Sequence, residues 1–122
     1  MRTHQKVLAA CVFSAATLAA PLAMAHAKLT ASNPAAGAVL EAAPTAITLT
    51  FNEKIERAFS SITLTNSEGK AVPTDKEEVD AANPAVVRVR TNGLVAGKYT
   101  VKWAVAGRDG HRRTGTFSFS VK

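Results

Sequence analysis

His26, Asp109 and His111 are the residues whose types and spacing could gather on one metal ion. Asp109 and His111 stand two apart, and in an extended segment that spacing sends both side chains to the same side. Gly110 between them adds no bulk and permits a tight turn. His26 follows Ala23-Met24-Ala25, the small-residue end of a secretory signal. Cleavage after Ala25 gives His26 a free α-amine beside its imidazole. The amine nitrogen and ring Nδ1 of one N-terminal histidine can close a chelate ring on a single metal, an advantage no internal histidine has. Together the three residues offer three nitrogens and one carboxylate oxygen. Tetragonal N,O coordination is the preference of Cu(II), which also heads the divalent affinity order. Taken singly, each residue has a plainer reading: an incidental histidine, a turn at Asp109-Gly110, and a solvated imidazole at His111.

The segment ahead of His26 has the order of an export signal. Met1 to Lys6 is a short basic start, Val7 to Ala20 is apolar apart from Ser14 and Thr17, and Pro21 breaks the run. The apolar stretch of 14 residues falls short of the ~20 needed to span a bilayer. Leu8-Ala9-Ala10-Cys11 has the look of a lipoprotein cleavage box, but too little apolar chain precedes it. The expected division is therefore a signal peptide over 1–25 and one domain over 26–122. Removing 25 of 122 residues leaves 97 and lowers the formal charge from +6 to +4, because Arg2 and Lys6 go and no acid does. The only cysteine (Cys11) and both methionines (Met1, Met24) go as well.

That composition excludes several classes. A chain of this size holds one modest core. Without cysteine there is no disulfide framework, thiolate zinc site or thiol nucleophile. Without methionine there is no thioether site for cuprous copper. A mild positive charge suits solubility and does not demand nucleic acid.

The elements that must position the three residues read as strands. Ile47, Leu49 and Phe51 alternate with Thr48 and Thr50; Ile62 and Leu64 with Thr63 and Thr65; Val87 and Val89 with Arg88 and Arg90. Tyr99, Val101, Trp103 and Val105 share one face, as do Phe117, Phe119 and Val121. Shorter strands are expected near Lys28 to Ser32 and Lys70 to Pro73, and a single turn near Lys54 to Ser60. One apolar face per strand is what two packed sheets require. Asn33-Pro34, Ala43-Pro44, Asn83-Pro84 and Asn92-Gly93 supply the turns. The expected fold is all-β, an Ig-like or Greek-key β-sandwich of about seven strands. Trp103 and Tyr99 read as core residues of a central strand.

The chain after Ala25 resembles the CopC family of periplasmic copper-binding proteins. The resemblance rests on His26-Ala27-Lys28-Leu29, Ser32-Asn33-Pro34, Ile47 to Glu53, Gly97 to Trp103, Asp109-Gly110-His111 and Gly115 to Val121. It implies a Greek-key β-sandwich and one Cu(II) per chain, held by the His26 amine and ring with Asp109 and His111. Some members add a glutamate after a Phe-Ser-Glu strand end. Here the stretch is Phe51-Asn52-Glu53, which makes Glu53 a further candidate ligand. Its plainer reading is a surface carboxylate near Lys54 and Arg57. The last metal position stays open between Glu53 and water. Some members also hold Cu(I) on a methionine-rich loop; this chain carries Asp75, Glu77, Glu78 and Asp80 there, so that second site is not expected. Those acids suit a solvated loop, or weak attraction of a hard cation.

The resemblance implies a non-enzymatic periplasmic carrier or buffer of Cu(II), serving copper tolerance or supply. A copper-transporting inner-membrane protein (CopD-like) is the implied partner. Metal capture must displace protons from an α-amine (ordinarily ~7.7–8.0) and imidazoles (ordinarily ~6.5), so affinity should fall with pH. Two other readings compete. A copper monooxygenase acting on polysaccharides also uses an N-terminal histidine with a second histidine, but needs an open copper position and a substrate face. A metal-free Ig-like interaction module would leave both histidines incidental. Arg108, Arg112 and Arg113 cluster near the late motif without any recognised nucleic-acid module, and read as a basic loop or a partner-docking patch.

Overall fold

The computed structural model describes residues 27–122. The expected signal peptide over 1–25, and His26 itself, lie outside the described residues. Among the described residues, nine strands form two sheets: β1 (Leu29–Asn33), β2 (Val39–Leu40), β3 (Ala46–Phe51), β4 (Ser61–Thr65), β5 (Ala71–Val72), β6 (Glu78–Val79), β7 (Val86–Arg90), β8 (Gly97–Ala106) and β9 (Arg112–Val121). One sheet has the order β1-β3-β7-β6 and the other β2-β9-β8-β4-β5. All pairings are antiparallel except β2 with β9. This is the expected all-β sandwich. The five alternating runs are β3, β4, β7, β8 and β9, and the two shorter expectations are β1 and β5.

Alternation decides which face each strand buries. Ile47, Leu49, Val87, Val89, Val101 and Val105 are completely buried, and Phe119 is nearly so. Full burial of such a side chain is favourable by ~1.5–3 kcal/mol, so a one-residue slip, which would expose the whole row, is strongly disfavoured. Phe51 meets Trp103 edge-on at 5.2 Å, and Tyr99 stacks on Phe119 at 5.5 Å. The Tyr99 hydroxyl donates to the Val95 carbonyl at 2.7 Å, which satisfies its polar end. Trp103 and Tyr99 are core residues, as the alternation implies. The core cluster contains no sulfur-bearing side chain.

Two strands and one covering segment are not visible in the alternation. β2 and β6 are two residues long, too short to show a period. Ala104 and Ala106 should face solvent by alternation, yet both are buried. The β3–β4 connection lies against this end of β8: Arg57–Phe59 forms a 3₁₀ turn, and the Glu56 N–H donates to the Ala106 carbonyl at 2.9 Å.

β8 and β9 pair along their full length, from Gly97 with Val121 to Ala106 with Arg112. In the middle of this hairpin Trp103 pairs with Gly115. The Trp103 ring fills the space that a Cβ on residue 115 would need, overlapping the ring atoms Cζ2 and Cε2. A bulky aromatic locked in the core cannot swing aside. Gly115→Ala is therefore expected to destabilise the fold by ~1–3 kcal/mol. Denaturant unfolding followed by Trp103 fluorescence measures it; an unchanged midpoint would mean the ring has room to move.

Candidate metal centre

The hairpin loop 107–111 hangs from the paired end of β8 and β9, so its ends are fixed by the ladder. The Gly110 N–H donates to the Gly107 carbonyl at 3.0 Å, closing a turn. Gly110 has φ +73°, a conformation that side-chain-bearing residues rarely adopt. Asp109 grips the next side chain with both oxygens. Its Oδ1 accepts the His111 backbone N–H at 3.0 Å, and its Oδ2 lies 3.1 Å from His111 Nδ1. The two side chains share a side because of this turn, rather than because the segment is extended as the spacing alone suggests. The Asp109 side chain is 28% exposed and that of His111 69%.

The contact has a chemical consequence. A proton on Nδ1 would bond the Asp109 carboxylate and, in the neutral ring, leave the lone pair on Nε2. A carboxylate in this position fixes the orientation of a metal-binding ring. Nε2 is then the nitrogen a metal would take.

Glu53 arrives from the other sheet. It stands two residues beyond Phe51, the last residue of β3, and its Oε1 is buried with no hydrogen-bond partner. It packs against the root of the 107–111 loop: a Cβ on residue 107 would overlap Glu53 Oε1. Gly107 thus makes the space in which the carboxylate sits. A buried carboxylate oxygen without a partner is costly, and a cation is one thing that satisfies it.

Residues 27–28 reach the same end of the sandwich. Lys28 N–H donates to Asn52 Oδ1 at 2.7 Å, and Asn52 N–H donates back to the Lys28 carbonyl at 3.0 Å. Ala27 is buried. These two bonds clamp residues 27–28 beside the residue that precedes Glu53. The structure therefore brings Asp109 and His111 into contact and sets Glu53 at the root of their loop. Among the described residues, no three histidine, cysteine, aspartate or glutamate side chains converge closely enough to hold a metal. Asn52 and Gly107 were not singled out by the sequence reading. A polar residue ending an apolar strand and a glycine opening the late loop were their only signals.

Comparison with known proteins now bears on this geometry. The CopC domain profile matches residues 29–122. The chain belongs to the CopC family. It is 40% identical to Protein YobA of Escherichia coli K12 over 109 residues, covering 87% of this chain and 86% of the relative. It is 34% identical to Copper resistance protein C of Xanthomonas campestris pv. juglandis over the full length of both. Among solved structures, CopC from Methylosinus trichosporium OB3b superimposes with a TM-score of 0.75 at 32% identity, covering 80% of this chain and 94% of that one. PcoC from Escherichia coli, described as a methionine-rich copper resistance protein, gives 0.72 at 32% identity over 80% of this chain and all of that one. This CopC-family chain differs in having no methionine after Met24.

The acids of the 75–80 stretch hold loops in place. Glu77 Oε1 accepts the Ile62 N–H at 3.0 Å, and Asp75 Oδ1 accepts from Asn92 Nδ2 at 3.3 Å. Asp80 Oδ1 accepts backbone N–H bonds from Asn83 at 3.1 Å and Ala82 at 2.8 Å, while Oδ2 lies 3.4 Å from Arg88. The bond from Asn83, then that from Ala82, holds the Asp80 carboxyl below its ordinary value; desolvation opposes them, and Arg88 lowers it further.

Two outcomes are expected. Gly107→Ala should expel the Glu53 carboxylate at little cost in stability (within about 0.5 kcal/mol), because the clash is with the far end of a flexible side chain. The ¹³C shift of the Glu53 carboxyl reads it, and an unmoved resonance would contradict the cradle. Asp80 favours the folded state above the ordinary carboxylate range, and that contribution fades as pH falls through its lowered folded value. The stability gap between the native chain and Asp80→Ala should therefore be open at neutral pH and close in acid; a pH series of unfolding midpoints tests the sign.

Proposed function

We propose that this chain is a periplasmic Cu(II) carrier or buffer, exported with loss of residues 1–25. Its copper is cargo, held by the His26 amine and imidazole, Asp109 and His111, with the remaining position open to Glu53 or water. Membership of the CopC family supports a copper-related function. Relatives are named copper resistance proteins, and the chain matches a copper transport protein, CutJ of Bacillus subtilis, over 18% of that protein's length. The observation that carries the site is the two-oxygen grip of Asp109 on His111, beside a buried, unpartnered oxygen of Glu53. The donors are nitrogen and carboxylate oxygen, the set that suits Cu(II). The absence of sulfur after Met24 argues against a cuprous site.

The peptide bond to Ala27 limits how far His26 can lie from the Lys28–Asn52 clamp, since successive Cα atoms are ~3.8 Å apart. Binding would then knit the chain start to the hairpin loop. A copper-transporting membrane protein is the partner this role requires. A carrier fits better than a monooxygenase. The only Trp and the only Tyr are buried in the core, so neither offers a stacking face to a sugar.

The deciding experiment is a Cu(II) competition titration read by EPR. It compares protein beginning at His26 with the same protein carrying one extra residue in front. One tight equivalent, nitrogen-rich in its hyperfine pattern and confined to the His26 form, is the expected result, with weaker affinity at lower pH. Asp109→Ala should weaken Cu(II) affinity by at least the roughly 10–100-fold that losing the carboxylate partner of a metal-bound histidine costs. Equal binding by both forms would remove the amine from the site. No tight binding by either would leave a metal-free interaction module.

A further inference from the structure

Lys28, Arg108, Arg112 and Arg113 are all exposed. Among the described residues, the ion pairs between basic and acidic side chains join Lys70 with Glu68, Arg88 with Asp80, Lys122 with Glu41 and His111 with Asp109. None uses these four cations. They are not scattered. Arg108 lies in the 107–111 loop, and Arg112 and Arg113 open β9 immediately after it. Lys28 is held at the same end by its backbone bonds to Asn52.

Two of the four line a cleft. An open depression of about 570 Å³ lies between the sheets, with Ala27, Lys28 and Asn52 on one side and Trp103, Arg113 and Thr114 on the other. No carboxylate is among its lining residues. Glu53, the acid nearest in sequence to Asn52, has its Oε1 turned under Gly107. The cleft is therefore cationic on both flanks and uncompensated from within.

This arrangement is the wrong sign for holding a cation. Positive charges beside a Cu(II) site oppose metal capture by Coulomb repulsion. Their unneutralised concentration at that end calls for an anionic neighbour, and the concave shape suits a protruding chain segment better than a flat lipid surface. We propose that the Lys28–Arg113 cleft, with Arg108 and Arg112 beside it, docks an acidic segment of the protein that exchanges metal with this chain. The assignment of that partner as the metal-exchange protein rests on the copper-carrier reading. Docking there would neutralise the patch and set the partner against the Asp109–His111 loop. Its approach would be steered by charge, so association would be fast and salt-sensitive.

The test uses the exported chain, stripped of metal, with amide NMR as the readout and hexaglutamate peptide as the probe. Saturable shifts centred on Lys28, Asn52, Arg113, Thr114 and the Trp103 indole N–H are expected. They should weaken as salt rises from about 0.05 to about 0.3 M. The pair Lys28→Gln and Arg113→Gln should lower affinity roughly five- to tenfold, while Lys70→Gln with Lys122→Gln should leave it alone. Equal loss in both pairs, shifts spread over all cationic surfaces, or no shifts would overturn the proposal. So would binding to phosphatidylglycerol vesicles without a response to the peptide, which would point to a membrane surface instead. Because the peptide is read on metal-free protein, failure here leaves the copper titration to decide the carrier function separately.

Discussion

The Trp103 ring occupies the place where residue 115 would carry a side chain, and the functional end of the molecule is built outward from that contact. A slip of one residue between β8 and β9 would bring Thr114 or Thr116 opposite the indole, and neither fits. The ladder is thereby held in one register from Gly97 to Ala106. A fixed register means a fixed loop: residues 107–111 have to close the hairpin in a tight turn, and Gly110 supplies the backbone conformation that lets them. The Asp109–His111 contact is the outcome of that closure.

Three stretches distant in sequence meet at this end. Lys28 is clamped to Asn52 by reciprocal backbone and side-chain bonds, Asn52 leads directly into Glu53, and Glu53 lies under Gly107. The β3–β4 connection is fastened to the last residue of β8 by the Glu56–Ala106 bond. Polar residues with chemical potential thus sit on short loops whose ends are set by sheet ladders. That is how a small domain can hold a side chain in a chosen place without a second domain to brace it.

The longer strands were legible because their alternation extends over five residues or more and points to one buried face. Runs such as Ile47, Leu49 and Phe51 have no other economical explanation. β2 and β6 were not legible, since two residues carry no period. Ala104 and Ala106 follow the outward phase and are nonetheless buried, because a covering segment from elsewhere in the chain decides their exposure. At the candidate site, the Asp-Gly-His spacing carried the pairing of Asp109 with His111, though through a turn rather than extended alternation. The Gly107 cradle is a contact between residues far apart in sequence, and no local pattern announces it. The plainer reading of Glu53 was a surface carboxylate near Lys54 and Arg57, and the burial of its Oε1 is a long-range feature that no local pattern announces.

Among the described residues, the hydrophobic core cluster is aliphatic and aromatic, without sulfur. Sulfur is the atom of protein cores that climbs through sulfenic acid or sulfoxide under oxidative attack, turning an apolar side chain polar. A core without it has no such weak link. The described core therefore has no side chain that peroxide could turn into a sulfoxide or sulfenic acid and so wedge a polar oxide between the sheets. Shape and durability are supplied here by the same choice of side chains.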